Sequence, residues 1–250
     1  MNIILHGTGA GTPSGNRGAS SATFRFDSGD VLLVDAGEGC SRAMIRDGRN
    51  LHEITTVVVS HMHVDHWTGL PNLVMAWIIG GREAPVDLYL PPRSLNFFRS
   101  ILSNSWMLQK RLPFDLRLRE LQPLQLPEEW SLRPFRTSHL DKFIGTEEAD
   151  ILSFPSFGFV LESGGRKILF SQDIGSEQDL DGEILGTELL ICESAHVNLS
   201  HIVERARDAG VSRLIFTHIP PEREGAFEKI TLDGGGLDWS VAEDGLIIPL

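Results

Sequence analysis

Residues 57–73 read VVVSHMHVDHWTGLPNL, from Val57 to Leu73. An apolar run of strand character ends in three histidines and an aspartate within six residues, His61, His63, Asp65 and His66. Leu70, Leu73, Val74, Trp77 and Ile78 then fall on one face of a helix. An extended chain puts residues i and i+2 on the same side, so His61 and His63 can meet a common ion. Thr68-Gly69 and Pro71 place the helix start after the cluster, unlike the HExxH arrangement of zinc histidines within a helix. Asp65 and His66 are adjacent and expected to point in different directions, which suits two metal ions better than one. Imidazole and carboxylate without thiolate form a donor set for zinc first, with manganese or iron as alternatives.

Two ions need more ligands, and the chain offers them in matching places. His139 follows a strand-like segment at 131–136, Asp173 follows KILFSQ, and His218 follows RLIFT. Any one of these alone reads as a polar residue at a strand end.

Turn signals punctuate short apolar segments along the whole chain. Strands are expected at 3–5, 21–26, 31–35, 57–60, 86–90, 116–118, 131–136, 157–162, 167–171, 189–193, 213–217 and 246–249. Helices are expected at 39–47, from Leu70 to the Gly80-Gly81 stop, after Pro91-Pro92, and from a Ser200 cap to Gly210. Many short strands with few helices fit sheets covered by helices, an α/β (or α+β) class, better than regular βαβ alternation. At 250 residues, a single domain over 1–250 is the expectation. The Gly234-Gly235-Gly236 run reads as a loop, without the strand and helix that a phosphate cradle needs.

Hydrophobic residues make up 41% and charged residues 22%, an ordinary globular balance. The net charge of −12 repels polyanions and argues against a nucleic-acid partner lacking a local basic patch. Cys40 and Cys192 have no CxxC spacing and read as structural thiols. MNIILHGTG has no basic leader character and no apolar run is long enough for a bilayer, so a cytoplasmic protein without membrane contact is expected.

The stretch His61-Met62-His63-Val64-Asp65-His66 resembles the HxHxDH signature of the metallo-β-lactamase fold. GTGAGTP at Gly7–Pro13, Ser20-Ser21, LLVDAGEG at Leu32–Gly39, SFGFVLE at Ser156–Glu162, SQDIG, CESA and VAEDGLIIPL are similar to segments of ribonuclease Z and its relatives. This resemblance covers nearly the whole chain apart from about residues 91–130 and 219–238. It implies a four-layer αββα sandwich with a dinuclear zinc site. His61, His63 and His139 would hold one ion, Asp65, His66 and His218 the other, and Asp173 would bridge them. Asp35 would support the ligands from behind, or else simply cap its strand.

The implied activity is hydrolysis of phosphodiesters, with two cations about 3.5–4 Å apart activating a water and neutralising developing charge. Asp65 would be general base as well as ligand. In ribonuclease Z the leaving group's proton comes from a glutamate in a His-Glu-Ala-Thr segment paired with a histidine opening the next helix. The matching catalytic residues here are Glu193 in CESA and His201, with His196 as the competing histidine. The same branch tends to form homodimers.

Two departures narrow the substrate. The family's Pro-x-Lys-x-Arg-Asn loop reads Pro13-Ser14-Gly15-Asn16-Arg17-Gly18 here, without the lysine and asparagine. The interval between His139 and Asp173, where the tRNA-gripping arm is inserted, is short and carries Asp141, Glu147, Glu148 and Asp150 against Lys142. A small phosphodiester, such as a cyclic nucleotide, a nucleotide-linked ester or a sugar diester, is therefore expected. The alternatives are tRNA 3′-processing and hydrolysis of a lactone, thioester or carboxylic ester. Arg17 either binds a phosphate oxygen or folds over its loop. The apolar stretch around 93–108 is a lid, a substrate wall, a dimer face or a core helix.

Overall fold

The structure, a computed structural model, describes residues 1–146, 155–229 and 236–250; Glu147, Glu148, Asp150 and Gly234-Gly235 lie outside the described residues. The strands are β1 (Asn2–Gly7), β2 (Ser21–Arg25), β3 (Val31–Val34), β4 (Ile54–Val58), β5 (Val86–Leu90), β6 (Leu116–Glu120), β7 (Leu124–Gln125), β8 (Ser131–Thr137), β9 (Ser156–Ser163), β10 (Arg166–Phe170), β11 (Leu189–Glu193), β12 (Arg213–Thr217), β13 (Asp238–Val241) and β14 (Leu246–Pro249). The helices are α1 (Cys40–Arg46), α2 (Val64–Trp67), α3 (Leu70–Ile79), α4 (Leu95–Asn104) and α5 (Leu199–Asp208). The chain divides into two compact units, Met1–Leu121 with Glu243–Leu250, and Gln122–Ala242.

The first unit holds a seven-stranded sheet in the order β14-β1-β2-β3-β4-β5-β6. Strands β3 to β6 run parallel, so their exits share one edge. Val57, Val59, Val86, Leu88 and Leu90 pack against Met44, Leu73, Val74, Trp77, Phe98 and Leu102 from the helices. Each such side chain removed from water contributes about 1.5–3 kcal/mol. Arg82, 2% exposed, donates to the carbonyls of His52, Ile54, Ala84 and Pro85, so its charge is held by backbone dipoles.

The second unit holds another seven-stranded sheet, β13-β12-β11-β10-β9-β8-β7. Strands β10 to β13 are parallel, while β9 runs antiparallel to both β8 and β10. Strand β8 therefore points the same way as β10 to β12, and the exits of these four strands lie along one edge. Helix α5 buries Leu199, Ile202, Val203 and Ala206 against Leu190, Cys192, Leu214 and Phe216 of that sheet.

The sequence expectations need three corrections. The helical turn α2 starts inside the histidine cluster, with His63 at its N-cap, rather than after it. Asn198, not Ser200, caps α5, its side chain accepting from the Ser200 and His201 N–H groups. Strands β7 and β13 are too short or too polar to stand out by alternation. In the stretch around 93–108, Phe98, Leu102 and Met107 are core, while Trp106 is 88% exposed.

Candidate metal centre

In the first unit, parallel pairing sets Val34 beside Val58, and the Asp35 N–H donates to the Val58 carbonyl at 2.9 Å. Asp35 and Ser60 thus leave neighbouring strands side by side. The Asp35 carboxylate, 1% exposed, accepts from the Ser60 N–H (2.7 Å) and hydroxyl (2.8 Å) and contacts His66 Nδ1 at 2.6 Å. It adopts the left-handed region at φ 56°, a conformation that a non-glycine residue holds only when its surroundings compel it. A carboxylate on Nδ1 makes the other nitrogen of His66 available for a metal.

The DAGEG segment then closes on α2. The Ala36 N–H donates to the His66 carbonyl (2.7 Å), and the Gly69 N–H donates to the Ala36 carbonyl (2.9 Å). A Cβ at Gly37 would stand 2.2 Å from the Asp65 carbonyl, and one at Gly69 would stand 2.2 Å from the Gly37 carbonyl. Both positions require glycine because backbone meets backbone there.

This clamp gathers the cluster. His61 Nε2 lies 3.0 Å from His63 Nδ1, the His61 and His66 ring centres are 4.1 Å apart, and Asp65 Oδ2 lies 3.4 Å from His66 Nε2. Asp65 and His66 therefore converge, contrary to the expectation that they point apart, because the turn of α2 replaces the extended chain. A cavity of about 480 Å³ opens beside Asp65, lined among others by Gly11, Arg17, Arg42, Thr68 and Asp244. Arg17 folds over its loop, donating to the Thr8 hydroxyl at 2.7 Å.

In the second unit, His139, Asp173 and His218 leave β8, β10 and β12 at the shared edge. The two carboxylate oxygens of Asp173 face different rings: Oδ2 is 3.6 Å from His139 Nε2 and Oδ1 is 3.4 Å from His218 Nε2. Two ligands on one tetrahedral zinc, each about 2.1 Å from it, stand about 3.4 Å apart. The Thr137 hydroxyl donates to the Asp173 carbonyl at 2.8 Å and ties two of the exits together. Gln172 (φ 49°) and His218 (φ 53°) share the left-handed conformation seen at Asp35.

Glu193, 1% exposed at the end of β11, pairs with His196 rather than with His201. Its carboxylate accepts from the N–H groups of Ile174, Ala195 and His196 and lies 3.0 Å from His196 Nδ1. That hydrogen bond raises the His196 pKa above its ordinary value against the opposing effect of burial. His201 is 61% exposed and its ring lies 4.0 Å from Glu177. The expected pairing fails because the turn after β11 folds back on itself at once, delivering the nearer histidine. His196 also lies 4.6 Å from the His139 ring, centre to centre.

Burial pushes the Cys40 thiol up to about 11 and the Cys192 thiol further, and neither cysteine belongs to a ligand cluster among the described residues. His6 lies within β1. It is fully buried between Asp47 (2.6 Å) and Thr23 (2.8 Å), and desolvation lowers its pKa despite Asp47. Ser60 and Asp244 are site-supporting residues that lie within the VVVSHMHVDH and VAEDGLIIPL segments, where sequence reasoning assigns neither a role.

The fold and the histidine–carboxylate clusters are those of a metal-dependent hydrolase of the metallo-β-lactamase fold, and the curated relatives are ribonucleases Z. The ribonuclease Z of Methanothermobacter thermautotrophicus is 27% identical, with 88% of this chain and 86% of that protein covered. The crystal structure of the human short form of tRNase Z superposes with a TM-score of 0.76 at 23% identity, covering 100% of this chain and 99% of the other. The metallo-β-lactamase fold protein YhfI from Bacillus subtilis gives 0.75 at 19% identity over 99% and 98% of the two chains. A family model described as Anti-Pycsar protein Apyc1 matches residues 1–201, and the chain belongs to that family. Among the described residues, no helix is long and apolar enough to cross a membrane.

Proposed function

We propose that the protein is a dinuclear zinc phosphodiesterase acting on a small or nucleotide-type substrate. In this reading residues 1–250 work as one domain. His61, His63 and His139 would hold one zinc ion, Asp65, His66 and His218 the other, and Asp173 would serve both. The observation that carries it is Asp173, whose two oxygens each face a separate imidazole nitrogen at a distance suited to ligands on a common ion. The donor set, imidazole and carboxylate without thiolate, fits zinc and also admits manganese or iron.

When bound, such a pair of ions supplies an acidified water and positive charge against the developing phosphorane oxygens. The chain's own residues do the rest. Asp65 accepts the water's proton, and Asp35 fixes the tautomer and orientation of His66. Glu193, bonded to Nδ1, favours the protonated His196 ring and leaves Nε2 to donate to the departing oxygen. A net charge of −12 and a cavity of about 480 Å³ beside Asp65 favour a nucleotide-sized ester, such as a cyclic nucleotide, over a transfer RNA. The named ribonuclease Z relatives make tRNA 3′-processing the second reading. A cytoplasmic homodimer completes the proposal.

Metal analysis of the purified protein, paired with turnover of bis(p-nitrophenyl) phosphate, cyclic mononucleotides and precursor tRNA, tests it. Two zinc ions per chain and cleavage of the small esters with intact tRNA are expected. Cleavage of tRNA alone would replace this reading with the second.

A further inference from the structure

The loop from Thr8 to Gly18 forms one wall of the cavity beside Asp65. Both its ends are held by one distant carboxylate. Asp244, its side chain 9% exposed, accepts at Oδ1 from the Thr8 N–H (2.9 Å) and hydroxyl (2.8 Å), and at Oδ2 from the Gly18 N–H (2.7 Å). The loop's neck is closed by the Gly9 N–H on the Gly18 carbonyl at 2.8 Å. A Cβ at Gly18 would already stand 3.3 Å from Oδ2, so the carboxylate fits closely against the backbone.

The clasp reaches further than the neck. Having given its proton to Asp244, the Thr8 hydroxyl offers a lone pair, which receives Arg17 Nη1 at 2.7 Å. Behind the clasp, Arg46 Nη1 lies 3.8 Å from Asp244 Oδ2 while its Nε donates to Asp47 at 2.9 Å. At the loop's far end Gly11 lies against Asp65, where a Cβ would be 3.5 Å from the carboxylate.

We propose that Asp244 is a positioning residue for hydrolysis: it clasps the Thr8–Gly18 loop so that Arg17 and the loop backbone frame the cavity in which an anionic phosphate ester approaches Asp65. This rests on the phosphodiesterase reading, and one arm of its test does not depend on that reading. Asp244→Asn keeps the shape but replaces one acceptor oxygen with a donor, so either Gly18 or Thr8 loses its partner. Loss of a hydrogen bond to a charged acceptor corresponds to a change of about tenfold or more. In the full-length holoprotein, tryptic cleavage after Arg17 should accelerate by about that factor. The KM for bis(p-nitrophenyl) phosphate should rise with kcat and bound metal unchanged. Thr8→Val, which leaves the Gly18 bond intact, should shift both in the same direction by less. Unchanged cleavage and KM in Asp244→Asn overturn the proposal, as does a fall in kcat with metal loss at constant KM. If Asp244→Asn does not fold, unchanged rates in Thr8→Val overturn it and shifted rates support it. Should the wild type cleave no phosphodiester, the functional reading falls while proteolysis still decides the clasp.

Discussion

The first unit draws four candidate ligands from one short stretch, His61 to His66, held by a single buried carboxylate and a glycine-lined backbone clamp. The second draws His139, Asp173 and His218 from the exits of three strands, and their meeting depends on the order and direction of β8 to β12. A local cluster is built by one loop conformation. A dispersed one is built by sheet topology and held by small cross-links such as the Thr137 hydroxyl on the Asp173 carbonyl. The first kind should fail through loss of its supporting groups, the second through loss of the group its histidines share.

The largest effect should come from the carboxylates nearest the chemistry. Asp65→Asn is expected to lower kcat on the order of 10²–10⁴-fold, since it removes a proton acceptor, and to release less metal than Asp173→Asn, since its remaining amide oxygen still faces one ion. Asp173→Asn should lower activity at least as far and release metal as well, because both His139 and His218 face that one group. Steady-state kinetics with metal analysis separates the two. Equal metal retention in both variants would erase the contrast between the units.

Next comes Asp35→Asn, which leaves every ligand in place but weakens the hold on His66 Nδ1. Metal affinity should drop by about 10–100-fold, measurable by competition with a chelator. A Thr137→Val change, on the same footing in the second unit, should cost less, since it touches no ligand side chain and removes only neutral hydrogen bonds, to the Asp173 carbonyl and the Ser156 hydroxyl.

The smallest effect is a shift in pH dependence. Glu193 raises the His196 pKa, so the ring stays protonated to higher pH than an ordinary histidine. Activity that needs this donor is full below that pKa and is lost as pH rises through it. Glu193→Gln removes the cause and should move the alkaline limb of kcat to lower pH, while His201→Ala should leave it in place. An alkaline limb that moves with His201 instead would restore the expected pairing.

The sequence by itself determined the fold class, most strand positions and the histidine-rich loop, because these rest on local period, turn chemistry and ligand spacing within a few residues. It also pointed to Asp35, through the segment between Leu32 and Gly39. It misjudged the partner of Glu193 and the direction of Asp65 relative to His66. It held Asp244 and Ser60 within recognisable segments but assigned neither a role. Each of these depends on contacts between segments far apart in the chain, or on a single helical turn where extended backbone was expected. Apolar patterning says which face of an element is buried, but not which strand lies next to which. Only the tertiary structure decided that the exits of β8, β10, β11 and β12 share one edge, and that a carboxylate near the last strand closes a loop near the first.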